Sequence, residues 1–450
     1  MNLSDSRKGF IAAININKVF IINIVALFLT LGIGYDNVVI FGAISIILLS
    51  ISIISFIKIF IINKFPLDKK LLVILIFFAL YFSISEILTF IHFGISGKLL
   101  FYFYWCVFSL DSAIWGYYLA KNFQNENFLN TFLISLLAIV YVCFLGISFN
   151  WIRSLLLGST LRNPNISSQK VGYYLSFAYS IFLYFFLFNK EVSNFKIIKI
   201  LQNKTLLSLI ISILPILVSS YGGRGAFVNI LALLIVAFII KLIFSLKEHK
   251  MKGFFQFILL IFISCFITIF MFNNVTYVNN GLHRIIPFSL ITKVCNNDNY
   301  NDSKNDSKND KPPIIVKDID IVTAGRGSLY LNAIETIKKK PILGYGSIEY
   351  MHHWSSTYNY PHNLFFEWML QGGIIYTIFM LFLSLLAIGN IVKNSYKEKK
   401  LLMFLLIGIY PAINLMFSNT YLNNSYFWFI LFFGIFFEKN RISLKKEVNT

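Results

Sequence analysis

Apolar runs of about 20 residues recur along almost the whole chain, and each is long enough to cross a hydrocarbon core of about 30 Å. With 57% hydrophobic residues, 13% charged residues and 49 Phe among 450, a soluble globular domain is excluded. The expected fold class is an all-α polytopic membrane protein of about twelve helices. The runs fall at 15–34, 38–58, 70–91, 98–120, 128–149, 171–189, 205–221, 226–246, 253–273, 364–392, 401–418 and 424–438.

The formal net charge of +19 would suggest a nucleic-acid partner for a soluble protein. In a membrane chain it has a plainer origin, because Lys and Arg collect at cytoplasmic helix ends. Segments with Arg7 and Lys8, Lys64 to Lys70, Lys190 to Lys204, Lys247 to Lys252, Lys393 to Lys400 and Lys439 to Lys446 alternate with poor ones. The alternation places both termini in the cytoplasm and the long connection before the tenth run outside. Three parts follow: an N-terminal membrane bundle over 1–272, a large external loop over 273–363, and C-terminal helices with a cytoplasmic tail over 364–450. The N-terminus carries no small-residue cleavage site after a short apolar core, so no removable signal peptide is expected. Cys106, Cys143 and Cys265 lie in apolar runs and Cys295 stands alone in the loop, which argues against disulfides and against a cysteine metal site.

Polar residues inside this apolar background are the informative ones. Asp111 and Glu86 fall within predicted membrane helices, where an ionisable group is costly and faces a bundle interior or a watery cavity. Both have a structural reading as partners of an Arg or a backbone group, and Glu86 fits it better. Arg153 and Arg162 occupy a segment too polar to span, where they could meet an anionic head group or act as ordinary interfacial residues. Ser219-Ser220-Tyr221-Gly222-Gly223-Arg224-Gly225 joins two apolar runs with almost no loop. A guanidinium beside a helix N-terminus makes a phosphate seat, and an outer-side Arg in a short turn runs against the positive-inside bias. The bland alternative is a tight turn whose Arg snorkels.

The external loop holds the densest chemistry. It includes His283 and Arg284, then a polar Asn-Asp-Ser-Lys repeat from Asn301 to Asp310 that reads as disordered surface. Asp318 and Asp320 form an Asp-x-Asp too short to establish a metal site. The adjacent His352 and His353 lack a third ligand at helical spacing. From Ser328 to Lys340 the spacing predicts a helix with Tyr330, Ala333, Ile334 and Ile337 on one face, ended by Pro341. Gly344 and Gly346 permit a sharp turn. Pro361-His362-Asn363 then precedes the tenth run, with Asn363 as its cap.

These motifs resemble the O-antigen ligase and O-antigen polymerase (Wzy-type) superfamily of bacterial envelope glycosyltransferases. The resemblance covers about Ser219 to Phe379. It rests on Gly223-Arg224-Gly225-Ala226, on Gly325-Arg326-Gly327 with Ala333, on Pro341 with Gly344 and Gly346, and on His362-Asn363 with Glu367 and Gly372-Gly373. It implies a membrane fold like that of C-type lipid-carrier glycosyltransferases, with the large loop on the periplasmic face of the cytoplasmic membrane. It also implies an undecaprenyl-diphosphate-linked oligosaccharide as donor and no metal or other cofactor. The implied partners are that lipid-linked substrate, membrane lipid and a chain-length regulator membrane protein, with no nucleic acid.

The residues supply what such a transfer needs. Arg224 and Arg326 suit the charge that grows on a leaving diphosphate, and His362 suits the handling of an acceptor hydroxyl. Asp111, Glu367, Arg284, Arg153 and Arg162 are candidate substrate contacts, and Glu367 or Asp111 could replace His362 as base. Between polymerase and ligase the expectation is a polymerase, on the extreme Phe, Ile and Asn content. A flippase is the rival of another class, but it would have short loops and charges in a central cavity. Cysteine labelling is expected to find position 305 outside and positions 196, 397 and 445 inside; cytoplasmic labelling at 305 would overturn both the topology and the enzyme reading.

Overall fold

A computed structural model describes residues 50, 54, 57, 68–94, 97–125, 129–140, 168–188, 203–221, 224–249, 251–274, 326–347, 349–353, 360–418 and 420–437. The predicted run 15–34 and nearly all of 38–58 lie outside the described residues. So do Arg153, Arg162, Arg284, Asn305, Asp318 and Asp320.

Among the described residues all regular structure is helical. In chain order the elements are α1 (Lys69–Phe93), α2 (Gly97–Lys121), α3 (Leu129–Val140), α4 (Ser168–Phe188), α5 (Lys204–Tyr221), α6 (Arg224–Lys247), α7 (Lys252–Asn274), α8 (Gly327–Lys339), α9 (Tyr350–His353), α10 (Leu364–Ser395), α11 (Leu401–Phe417), a 3-10 turn (Tyr421–Asn423) and α12 (Ser425–Phe436). Five are long and apolar enough to cross a membrane: α1, α4, α6, α7 and α10. Helices α3, α5, α11 and α12 are apolar but contribute shorter described runs.

The layering follows from which faces are apolar all round. Helix α4 packs on α5, α6 and α11, and 94% of its spanning window is buried, against 17% for α1 and 22% for α7. A long apolar helix is therefore central in one case and exposed along one face in the others. Exposed Leu72, Val73, Phe262 and Phe266 cover the outward faces of α1 and α7. Helix α12 packs along α2 and against α10, and an aromatic column of Phe132, Phe404 and Phe433 joins α3, α11 and α12, with Phe404 and Phe433 stacked at 3.8 Å.

The predicted tenth run is not one continuous helix. At Gly372 and Gly373 the backbone leaves helical geometry, with Gly373 at φ 59° and ψ −158°. Such a break strands carbonyls on one side and N–H groups on the other, at several kcal/mol each in an apolar medium. The Pro341–Gly346 loop satisfies them. Tyr345 N and Gly346 N donate to the Leu370 and Gln371 carbonyls at 2.8 and 2.6 Å. In return, Ile374 N and Ile375 N donate to the Pro341 and Ile342 carbonyls at 2.9 and 3.5 Å. The loop is then pinned to α1, where Ser347 N and Oγ donate to Ser85 Oγ at 2.6 and 2.7 Å.

This contact explains the glycines on both sides of it. Gly344 sits at φ 64°, and a Cβ there would lie 2.6 Å from the Gln371 carbonyl and the Gly372 nitrogen. A Cβ on Gly373 would strike the Ile342 carbonyl. Both positions need left-handed backbone and backbone-to-backbone approach, which only glycine provides at no steric cost.

Helix α8 forms where the spacing predicts it, but its inward face is centred elsewhere. Leu329, Ala333 and Thr336 are buried, whereas Ile334 is exposed. Contact with α10, including Tyr330 against Phe366 at 5.4 Å, decides which of the several apolar residues turns inward.

Gly373→Ala is expected to abolish the monodisperse folded protein, because φ > 0 costs an L-residue about 1–2 kcal/mol before the clash is counted. Gly389→Ala, in the same helix with open space around it, is expected to leave the melting temperature unchanged or slightly higher. A melting curve of each in detergent checks the pair.

Candidate functional site

Two ends of the bundle differ in kind. At one, ion pairs join the helix termini: Asp68 with Lys121 at 3.2 Å and Glu248 with Lys399 at 2.7 Å. At the other lie the start of α6, the start of α8, the start of α10 and the end of α11, and the candidate residues gather there.

Asn363 caps α10 as expected, its side chain accepting from Phe365 N and Phe366 N at 3.1 and 3.2 Å. His362 just before it adopts φ 53°, a left-handed conformation costing about 1–2 kcal/mol for a non-glycine residue. Pro361 on one side and the cap on the other hold it there. The imidazole lies edge-on to the Tyr360 ring, with centroids 4.5 Å apart, and hydrogen-bonds the backbone of Ser418 at the end of α11. Tyr360 Oη donates to the same Ser418 carbonyl at 3.5 Å.

Arg326 stands at the N-terminal boundary of α8, close enough for its charge to act on both rings. Burial drives the His362 pKa down to about 4, and the neighbouring guanidinium adds to that effect. The imidazole is therefore neutral across the physiological range. Burial also pushes the Tyr360 hydroxyl up to about 12, with Glu367 adding and Arg326 opposing.

Arg224 opens α6 and is half-buried. Its neighbour Gly225 abuts the Tyr173 hydroxyl of α4 and the Phe417 Cβ of α11. Phe417 precedes the residue on which Tyr360 and His362 converge. The α6 turn and the His362 turn thus share one support, the end of α11.

One turn into α10, Glu367 is 0% exposed. Its Oε1 accepts from Thr420 Oγ1 in a short hydrogen bond and from Gln371 Nε2 at 3.3 Å. The Gln371 Oε1 accepts from the Tyr421 hydroxyl, which lies 3.0 Å from the Tyr376 hydroxyl, while Trp428 Nε1 donates to the Tyr421 carbonyl at 2.7 Å.

The structure thus brings Arg326 and His362 together, sets Gly225, the residue after Arg224, against the end of α11 and buries Glu367 one turn into α10. Asp111 is buried in α2, the helix packed on α12 and the 3-10 turn. Glu86 lies beside Ser347 of the docked loop. His352 stacks on Phe93 at 4.0 Å, and His353 joins His92 and Lys340 around Glu349. Arg153, Arg162 and Arg284 lie outside the described residues.

Sequence reasoning missed Tyr360, Ser418, Thr420, Gln371 and Tyr421. The available signal was the polar interruption Ser418-Asn419-Thr420 between two apolar runs at the same bundle end as His362.

Compared with known proteins, residues 206–381 match a family model described as O-antigen ligase. No curated protein and no solved structure matches the chain significantly. With histidine labelled for NMR, the ring assigned through His362→Gln is expected to titrate near pH 4. Arg326→Gln, by removing a positive neighbour, is expected to raise that midpoint; a midpoint near 6.5 in the unaltered protein would contradict the enclosure described above.

Proposed function

We propose, from the match of residues 206–381 to a family model described as O-antigen ligase, that the protein is a Wzy-type O-antigen polymerase. In this reading it transfers glycan from an undecaprenyl-diphosphate carrier onto a lipid-linked repeat unit. The reaction runs at the periplasmic face of a bacterial inner membrane, with both termini of the protein in the cytoplasm. The observation that carries this reading is the grouping of Arg326, His362 and the Arg224 turn at one end of an apolar helical bundle, all inside the matched domain.

The chemistry is a displacement at the anomeric carbon. The acceptor hydroxyl oxygen forms the new glycosidic bond as the bond from that carbon to the diphosphate oxygen breaks, and the electron pair leaves with the diphosphate. Arg326 and Arg224 stabilise the charge that appears there through planar, charge-assisted hydrogen bonds. His362 meets the acceptor. Its hydrogen bond to Ser418 occupies one ring nitrogen, and in a neutral imidazole the other then presents a lone pair. That nitrogen accepts the hydroxyl hydrogen and orients the oxygen. A group titrating near 4 is a weak base at neutral pH, so proton uptake by His362 comes late, as the oxygen becomes positive on bonding to carbon.

The description of the matching family favours a second reading, transfer to lipid A core by a ligase. Lipopolysaccharide banding of a deletion strain separates the two. One repeat per core identifies the polymerase, bare core identifies the ligase, and unchanged banding defeats both.

Arg224→Lys and Arg326→Lys keep the charge but lose the planar fork, and each is expected to cost about 10²–10³-fold in turnover at normal protein level. The acid limb of the pH–rate profile due to His362 is expected near pH 4, where protonation removes the lone pair, and to vanish in His362→Gln. Near-normal long-chain product from Arg224→Lys would reduce that residue to an interfacial anchor.

A further inference from the structure

Glu367 is a buried ionisable group beside the His362 turn that the transfer chemistry leaves unused. It is fully enclosed, one helical turn past the cap that follows His362. Its surroundings are hydrogen-bonding groups. Thr420 Oγ1 and Gln371 Nε2 both donate to one carboxyl oxygen, Oε1. Thr420 Oγ1 also accepts from Leu422 N at 3.2 Å, which ties the start of the 3-10 turn to the same hydroxyl. Two residues before Thr420, the Ser418 backbone receives Tyr360 and bonds His362.

The chain of contacts therefore runs from Glu367 through Thr420 to Ser418 and back to His362, closing a ring between α10 and α11. This linkage adds to the direct packing of α10 on α11 and to the Tyr360 bond, and it supports a turn whose histidine is in a disfavoured conformation.

We propose that Glu367 is a positioning residue that, by anchoring Thr420, sets the Ser418 backbone and with it the orientation and tautomer of His362. The assignment rests on the glycan-transfer reading of the site. Glu367 does this as a hydrogen-bond acceptor. Oε1 accepts both bonds, so an amide oxygen in its place serves the same purpose.

The test compares conservative and disruptive variants of full-length protein reconstituted in liposomes. It has two readouts, transfer from a polyprenyl-diphosphate-linked oligosaccharide and NMR titration of the His362 ring. Thr420→Ser and Glu367→Gln keep the required groups, and each is expected to retain turnover within about threefold, with the His362 midpoint unmoved. Thr420→Val and Glu367→Leu remove one partner without a large change in volume. Each is expected to lose turnover about 10²-fold, the scale associated with a misplacement of about 1 Å at a reacting group. KM should change little. The His362 midpoint should move toward 6.5 as the ring loses its enclosure, and the double variant should lose no more than either single one, as for two members of one linkage.

Loss of turnover in Glu367→Gln with an unmoved His362 midpoint would make the carboxyl itself the working group and overturn the proposal. So would normal turnover and an unmoved midpoint in Thr420→Val. The NMR arm does not require activity. If the unaltered protein transfers no glycan, the functional reading fails, while the movement or stillness of His362 still decides whether Glu367 positions it.

Discussion

The exchange of backbone hydrogen bonds between the broken α10 and the Pro341–Gly346 loop is the contact on which the rest of the site end depends. A helix in lipid satisfies its own polar groups, and a break in it is tolerable only where protein supplies replacements. Here one short loop supplies donors to the carbonyls before the break and acceptors to the N–H groups after it. The loop is thereby fixed between α10 and α1, and it carries α8 at one end and α9 at the other. Removing any of these bonds strands a partner in an apolar setting, so the unit forms as a whole.

That constraint also orders the chemistry. Helix α8 ends at the docked loop, so its start, with Arg326, is delivered to the mouth of the bundle. The first half of α10, shortened by the break, runs only from Leu364 to the glycines and keeps Glu367 and Gln371 within reach of Thr420 and Tyr421. The guanidinium and the imidazole come from elements joined by the same loop, and their mutual effect follows. Burial keeps that ring neutral, and the positive charge beside it adds to the effect. A neutral ring bonded to a backbone group is a defined acceptor rather than a strong base.

The membrane setting shapes the remainder. Helix α4 is wrapped by neighbours while α1 and α7 present Leu, Val and Phe outward, and the wrapped helix is the less hydropathic one, at a mean hydropathy of 1.6 against 2.5 and 2.6. One group of polar side chains inside the bundle bonds in series, from Glu367 through Gln371 and Tyr421 to Tyr376. A buried network of this kind holds geometry well only when nearly every member is satisfied.

Much of this was legible in the residues alone. The apolar runs from Lys69 onward correspond to described helices because crossing lipid demands both length and apolarity, and both are written locally. Asn363 as a cap, Pro341 as a stop, and Arg224, Arg326 and His362 as the candidates for charge and proton handling were likewise local readings, made from residue type and neighbours. Tertiary structure decided what depends on partners far along the chain. It broke the tenth run at Gly372 and Gly373, turned Leu329 rather than Ile334 inward, and placed His362 at positive φ. It also joined Glu367 to Thr420 across 53 positions of sequence. None of these has a periodicity to betray it. Each is set by which backbone groups and side chains a distant segment brings to the same few ångströms, and that is a property of the packed bundle rather than of any one stretch of it.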